Sequence, residues 1–347
     1  MHWAIIGLQG SGRTSLFRLL THKGGVGFSG KGFDIGSMKV PDARLEKLAK
    51  IFNPLEISNV EIEFADTTGA IGKGETSAEL QKSDALVCCI RAFDAGFGKP
   101  EQLRDLSDLF DDMVLFDLGV LERRLENIDR SLRAPKPEER GHLEKERALV
   151  CELKEKLDSG TMIRELELSK ELSALVTNFG LLTSKAAIVV FNCDEERYKI
   201  REESIEGVKS KYKHIDAFAL MVGLELEMEE LSNEDAKAFK QELGIEDDSI
   251  TRFIERAYRA MNTITFFTCN NKEVRAWTIH SGSSAIEAAG KVHSDLARGF
   301  IRAEVIRCER LFEFGDWNKA RSAGAIHTEG KEYIVQEGDV ILVKFAV

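Results

Sequence analysis

Residues 4 to 20 read Ala4-Ile5-Ile6-Gly7-Leu8-Gln9-Gly10-Ser11-Gly12-Arg13-Thr14-Ser15-Leu16-Phe17-Arg18-Leu19-Leu20. A short apolar run, a glycine-rich turn and a helical pattern follow one another, which predicts strand, loop and helix. Gly7 to Thr14 fits the phosphate-loop pattern G-x-x-x-x-G-K-[ST] at every position but one. The glycines let successive backbone N–H groups curl around phosphate oxygens, and the helix that follows presents its positive end to them. Gly7, Gln9, Gly10, Ser11, Gly12, Arg13, Thr14 and Ser15 are therefore candidate phosphate-binding residues. The Thr14 hydroxyl is a candidate Mg²⁺ ligand. Arg13 stands where the pattern has lysine. A compact ammonium fits between two phosphates, whereas a guanidinium is planar and wider, so charge is kept and geometry is not. Weaker binding is expected, and hydrolysis impaired more than binding. A glycine-rich turn that holds no ligand is the alternative reading.

Outward from the loop, Val60 to Ala65 alternates as a strand and stops at Asp66-Thr67-Thr68-Gly69. A carboxylate there can hold the Mg²⁺ water shell and a glycine N–H can meet a terminal phosphate, so Asp66 is the second candidate metal residue and Gly69 a further phosphate contact. Ala70, next in line, has no group that could orient water. Ala85-Leu86-Val87-Cys88-Cys89-Ile90 and Ala186-Ala187-Ile188-Val189-Val190-Phe191 are continuous apolar runs, as in strands buried on both faces of a parallel sheet. The second leads into Asn192-Cys193-Asp194-Glu195. Guanine readers use Asn-Lys-x-Asp here. The missing lysine and the glutamate in fourth place argue against guanine and leave Asn192 as the base contact, with a solvated turn as the alternative.

Between those two runs the character changes. Leu118, Leu121, Leu125, Ile128 and Leu132 form a strict a/d seam, Pro135-Lys136-Pro137 breaks it, and a second charged helical stretch runs from about Glu138 to Val176. The pattern predicts an antiparallel helical hairpin, serving as a brace or as a partner-binding arm. Gly24 to Gly36 reads as a mobile loop. After Asn262 come short strands, Ile264–Thr268, Glu273–Ile279 and Val340–Phe345, with one helix from Ala285 to Arg298, the pattern of a small α+β module.

The whole chain has 347 residues, 43% hydrophobic and 31% charged, which suits two or three folded domains and excludes disordered or collagen-like classes. Its net charge of −11 argues against wrapping nucleic acid by charge alone. Eleven basic and eleven acidic residues from Asn262 onward leave that segment neutral and the less repelled candidate for an RNA contact. Arg298, Arg302, Arg307 and Arg310 near Phe300 read as a solvated face or as such a contact. The six cysteines show neither disulfide nor zinc spacing and fit reduced thiols of the cytoplasm. No leader and no membrane-spanning run is expected. His280, His293 and His327 read as solvated or core residues and not as metal ligands.

Taken in order, these pieces resemble the Obg-like ATPase (YchF) family among the translation-factor-related P-loop NTPases. The most specific residues lie outside the nucleotide motifs. They are Val40-Pro41-Asp42-x-Arg44-Leu45-x-Lys47-Leu48-Ala49, Lys272-Glu273-Val274-Arg275-Ala276-Trp277-Thr278-Ile279, Ala288 to Val305, and Gly330-Lys331-x-Tyr333-x-Val335-Gln336-x-Gly338-Asp339. The resemblance covers essentially the whole chain. It implies an α/β P-loop G domain with a mainly parallel sheet at 1–117 and 177–261, interrupted by the hairpin at 118–176, and a C-terminal α+β TGS domain at 262–347. It also implies ATP preferred over GTP through Asn192 and Glu195, base contacts from the backbone at Val222 and Gly223, Mg²⁺, slow hydrolysis, and association with the ribosome or its RNA and proteins.

Three departures fall on the terminal-phosphate side. Arg13 replaces the loop lysine, the switch threonine falls on Gly30 unless Ser29 substitutes, and the segment from Ala70 to Lys82 matches the family's switch only at Lys73-Gly74-Glu75. The expectation is a cytoplasmic nucleotide-binding protein that turns ATP over poorly. The alternatives are a nucleotide-free TGS-containing scaffold and a GTP-binding protein proper.

Overall fold

The computed structural model describes residues 1–347 apart from 23–32, 68–70, 72–74, 97, 134–137, 213, 230, 243–248 and 347. Those gaps contain Gly69, Ala70, Ser29, Gly30, Lys73-Gly74, Pro135-Lys136-Pro137 and most of the expected loop from Gly24 to Gly36. The chain forms two compact units, Met1–Met38 with Glu63–Arg252 and Lys39–Ile62 with Phe253–Val347.

The elements follow in chain order. First come β1 (His2–Ile6), α1 (Arg13–Thr21), β2 (Phe33–Lys39), α2 (Ala43–Phe52), β3 (Glu56–Ser58) and β4 (Glu61–Thr67). Next are α3 (Glu75–Lys82), β5 (Ala85–Ala92), α4 (Gln102–Leu132), α5 (Arg140–Asp158), α6 (Lys170–Phe179) and β6 (Ala186–Cys193). Then follow α7 (Glu195–Lys199), α8 (Arg201–Lys211), β7 (Asp216–Leu220), α9 (Val222–Met228), α10 (Asn233–Glu242) and α11 (Ser249–Ala260). The last part holds β8 (Thr263–Cys269), β9 (Glu273–His280), α12 (Ala285–Val292), α13 (Ser294–Arg298) and β10 (Phe300–Arg307). It closes with α14 (Cys308–Phe314), α15 (Trp317–Ser322), β11 (His327–Glu329) and β12 (Asp339–Phe345).

In the first unit the strands line up as β2-β4-β1-β5-β6-β7. The pairs β1–β4, β1–β5, β5–β6 and β6–β7 are all parallel. From central β1 the chain moves to β4 on one side and β5 on the other, so the strand order reverses there, where open α/β sheets bind ligands. Apolar residues on both faces explain the runs without alternation: β5 buries seven of its eight residues. Cys88, Ile90, Val189 and Phe191 pack with Leu106, Phe110 and Met113 of α4 in one cluster.

The seam predicted on α4 is realised. Leu121 and Ile128 share a core with Val150, Leu153 and Leu157 of α5 and with Leu172 and Val176 of α6. Glu122 pairs with Lys154 at 3.5 Å and Asp129 with Arg147 at 2.7 Å, so early positions on α4 meet late positions on α5. Two expectations need correction. The helical stretch after Glu138 is not continuous: α5 stops at Asp158, Gly160 turns with φ 80°, and helix resumes at Lys170. The stretch from Gly24 to Gly36 is strand from Phe33 onward.

In the second unit the order is β11-β10-β12-β8-β9-β3. Residues 39–62, expected within the first domain, contribute α2 and β3 to this unit. The reason is backbone pairing: β3 runs parallel to β9, with Glu56 opposite Glu273 and Ser58 opposite Arg275. Leu45 and Leu48, three apart on α2, are fully buried. Arg44 is held by Asp42 through two hydrogen bonds from Nε and one of 2.8 Å from Nη2, bonds Glu337 at 2.5 Å, and lies 5.0 Å from the Phe267 ring centroid. Phe266, one residue earlier and so on the opposite face, packs with Ala285, Ala288 and Ala289 of α12. The predicted helix from Ala285 to Arg298 breaks at His293, whose extended backbone ends α12 and whose ring accepts from Asp295 N at 3.1 Å to start α13. The string of arginines is largely compensated, Arg298 pairing with Asp295 and Arg310 with Glu313, while Arg307 lies 3.8 Å from Glu309.

Candidate functional site

The loop after β1 owes its shape to glycine. Gly10 and Gly12 have φ of 79° and 89°, the left-handed region that side chains rarely adopt. A Cβ on Gly12 would lie 2.1 Å from Asn192 Nδ2, and one on Gly7 would lie 2.4 Å from the Cys89 carbonyl oxygen. The loop is therefore pressed against the ends of β5 and β6. Ser11 N donates to Leu8 O at 3.2 Å, closing the turn. The Ser11 carbonyl accepts two side-chain hydrogen bonds, from Asn192 Nδ2 at 3.1 Å and from the Cys89 thiol at 3.3 Å. Burial pushes the Cys89 thiol up to about 12, so it stays protonated and able to donate. α1 begins at Arg13 with neither a side-chain cap nor an acidic residue in its first turn, which leaves its N–H groups and positive end for a ligand.

Thr14 and Asp66, 52 positions apart in sequence, meet where β1 and β4 run side by side. Thr14 Oγ1 donates to Asp66 Oδ2 at 2.7 Å. Next to Asp66, Thr67 Oγ1 donates to Ile5 O at 2.8 Å and fixes the two strands in register. Asp66 is 1% exposed, and its other oxygen, Oδ1, is buried without a partner among the described residues. Burial raises the Asp66 pKa above the ordinary carboxylate value, while the Thr14 hydrogen bond and the Arg13 charge oppose the rise. An orphaned carboxylate oxygen beside a hydroxyl is a hard-oxygen donor set that fits Mg²⁺. Among the described residues no group of three or more His, Cys, Asp or Glu could hold a metal alone. Phosphate oxygens and water would have to complete the coordination of Mg²⁺ here.

Of the predicted residues, Gly7, Ser11, Gly12, Thr14, Asp66 and Asn192 are brought together. Gly69 lies outside the described residues. Asn192 is 5% exposed and one of its amide hydrogens is spent on the loop, a tethering role that its place in a tetrapeptide did not reveal. Asp194 caps α7 by accepting from Arg197 N at 2.9 Å, and Glu195 stands exposed in the first turn of that helix. Val222 opens α9 fully buried, with Gly223 exposed beside it and no side chain capping the helix. No described hydrogen bond or ion pair links Glu195, Val222 or Gly223 to the loop. Cys89 is the residue that sequence reasoning passed over. The alternation of β5 already placed it opposite Cys88, but only the fold shows that the loop lies on its side.

Residues 263–346 match the family model YchF-GTPase_C, described as a protein of unknown function (DUF933). Full-length relatives are also found. The protein named ribosome-binding ATPase YchF of Bacillus subtilis (strain 168) is 32% identical over 99% of this chain and 98% of its own length. Its namesake in Haemophilus influenzae is 31% identical with the same coverages, 99% and 98%. The structure of the Schizosaccharomyces pombe YchF GTPase superposes with a TM-score of 0.81, covering 99% of this chain and 97% of that one at 24% identity, a likeness of fold.

Proposed function

Because this chain belongs to the YchF family, a nucleotide-binding family, we propose that it is a cytoplasmic ATP-binding protein that acts at the ribosome and hydrolyses ATP slowly. The observation that carries this is the Thr14–Asp66 contact with its unpartnered Asp66 oxygen, set beside a loop whose Ser11 carbonyl is pinned from two strands. With that carbonyl fixed, the loop is held in one shape, and Gly7, Gln9, Gly10, Ser11, Gly12, Arg13, Thr14 and Ser15 would surround a triphosphate, with Gly69 on the terminal phosphate. Thr14 directly and Asp66 through water would hold Mg²⁺. The ion supplies charge neutralisation of the phosphates, and the chain's residues position them.

Asn192, Glu195 and the backbone at Val222 and Gly223 would meet the adenine. The absence of a lysine after Asn192 and of an aspartate at 195 supports ATP over GTP. Arg13 keeps a positive charge beside Asp66 but not the shape of a lysine ammonium, which supports binding with impaired turnover. The helical segment 118–176 serves as a projecting hairpin and the C-terminal module as a TGS domain, both available to ribosomal RNA or protein. The names of the curated relatives support the ribosome as partner.

Calorimetric titration of nucleotide-free protein with ATP, ADP and GTP, each with Mg²⁺, tests the proposal. Binding of ATP at ~1–100 μM, about −8 to −5.5 kcal/mol, and weaker GTP binding is the expected result. Saturating ATP should then release phosphate slowly in single turnover, and Arg13→Lys should speed that release. No heat from any nucleotide would overturn the reading and leave a scaffold.

A further inference from the structure

Where β5 and β6 end, a cavity of about 170 Å³ opens among Gln102, Cys193, Arg197, Arg201, Glu203 and Ser204. Its lining thus includes two arginines, two neutral hydrogen-bonding residues and one glutamate. Arg201 is committed in part: Nη1 donates to Tyr198 O at 2.8 Å, Nε lies 3.6 Å from Glu202, and the group lies 4.2 Å from the Tyr198 ring centroid. The Arg197 guanidinium has no hydrogen-bond or ion-pair partner among the described residues, although its backbone is fixed by the Asp194 cap. Glu203 is exposed, on the solvent side. Burial and the neighbouring Asp194 carboxylate push the buried Cys193 thiol up to about 12 against the pull of both arginine charges, so the cavity contains no thiolate to balance them.

The cavity is separate from the phosphate loop. Phe191 and Cys193 line it, whereas Asn192 between them turns to Ser11 on the other face of the strand. Its volume is well below the ~300–1,000 Å³ of pockets for drug-sized molecules, which suits a small ion.

We propose that this cavity binds a small oxyanion, a phosphate or carboxylate group held by Arg197 and Arg201, with Ser204 and Gln102 as neutral donors. A planar guanidinium fork without a partner is the group proteins use for such anions.

The test is calorimetric titration of the full chain with inorganic phosphate in low-salt buffer, with malonate as a parallel arm. Because the phosphate loop can itself take phosphate, Arg13→Ala is titrated beside Arg197→Ala. Arg197→Ala should weaken binding about tenfold or more, the loss expected for a charge-assisted contact. Arg197→Gln, which keeps the packing of the stem, should weaken it similarly, and Arg197→Lys, which keeps the charge but not the planar fork, should restore only part of it. Arg13→Ala should leave the site intact. The tighter of phosphate and malonate identifies the source of the oxyanion. No binding by the wild type, unchanged binding in Arg197→Gln, or loss of all binding in Arg13→Ala would each overturn the proposal.

Discussion

A methyl group on Gly12 would meet two obstacles at once, the positive φ of 89° and the Asn192 amide 2.1 Å away. Gly12→Ala is therefore expected to push Asn192 off the Ser11 carbonyl and to weaken ATP binding more than tenfold, roughly the worth of one buried hydrogen bond plus strain. Titration of the variant beside wild type checks it. Asp66 makes a second prediction, through pH. Its raised pKa means that the folded state holds a proton to higher pH than the unfolded chain does. Stability without Mg²⁺ must then fall as pH rises from the ordinary carboxylate value through the raised one, and stay lowered above it. Asp66→Asn should flatten that part of the profile. Asp117 and Asp339 are also raised by burial, so the quantity to read is the difference in melting temperature between wild type and variant from about pH 4 to about pH 8.

Helices α4, α5 and α6 hold together through a narrow apolar stripe, because their other faces are charged. Leu153 sits in that stripe at 1% exposure. Leu153→Ala should cost about 2–5 kcal/mol of local stability, the range for a buried leucine, while leaving nucleotide affinity near wild type. Hydrogen exchange resolves the two effects, since amides of α5 would lose protection and those of β1 would not. In α2 the corresponding anchor is polar. Arg44 satisfies Asp42 and Glu337 together, and Glu337 also accepts from Thr265 N at 2.7 Å. Arg44→Ala should destabilise the second unit by roughly 1–3 kcal/mol, since it leaves those carboxylates without their cation. Denaturant melting followed by the fluorescence of Trp277 and Trp317, with Trp3 of the first unit replaced by Phe in both proteins, measures it.

At the scale of the whole molecule, the second unit is discontinuous in sequence. Its sheet ends on β3, and α2 packs against α14 and β9, so a fragment beginning at Phe253 lacks part of its own core. That fragment is expected to melt lower than the same unit in the intact chain. A peptide spanning residues 39–62, added in trans, should raise its melting temperature with peptide concentration, as any ligand of the folded state does. Within Val40-Pro41-Asp42-x-Arg44, Val40 is buried and Asp42 holds Arg44, so these residues serve packing and hydrogen bonding inside that unit.

Local patterns were enough to read much of this protein. Gly7 to Thr14, the apolar runs of β5 and β6, and the a/d seam of α4 each declare themselves within a few residues, because strand burial, helix period and positive φ are local constraints on residue type. The pairing of Thr14 with Asp66 was also legible, since both belong to one loop-and-strand pattern. Tertiary structure alone decided the rest. It assigned residues 39–62 to the second unit, turned Asn192 and Cys89 onto the Ser11 carbonyl, and set Arg197 in the wall of a cavity. Backbone hydrogen bonds carry no residue code, and a side chain's partner across some 200 positions is set by which strands lie side by side, so neither leaves a trace in the sequence nearby.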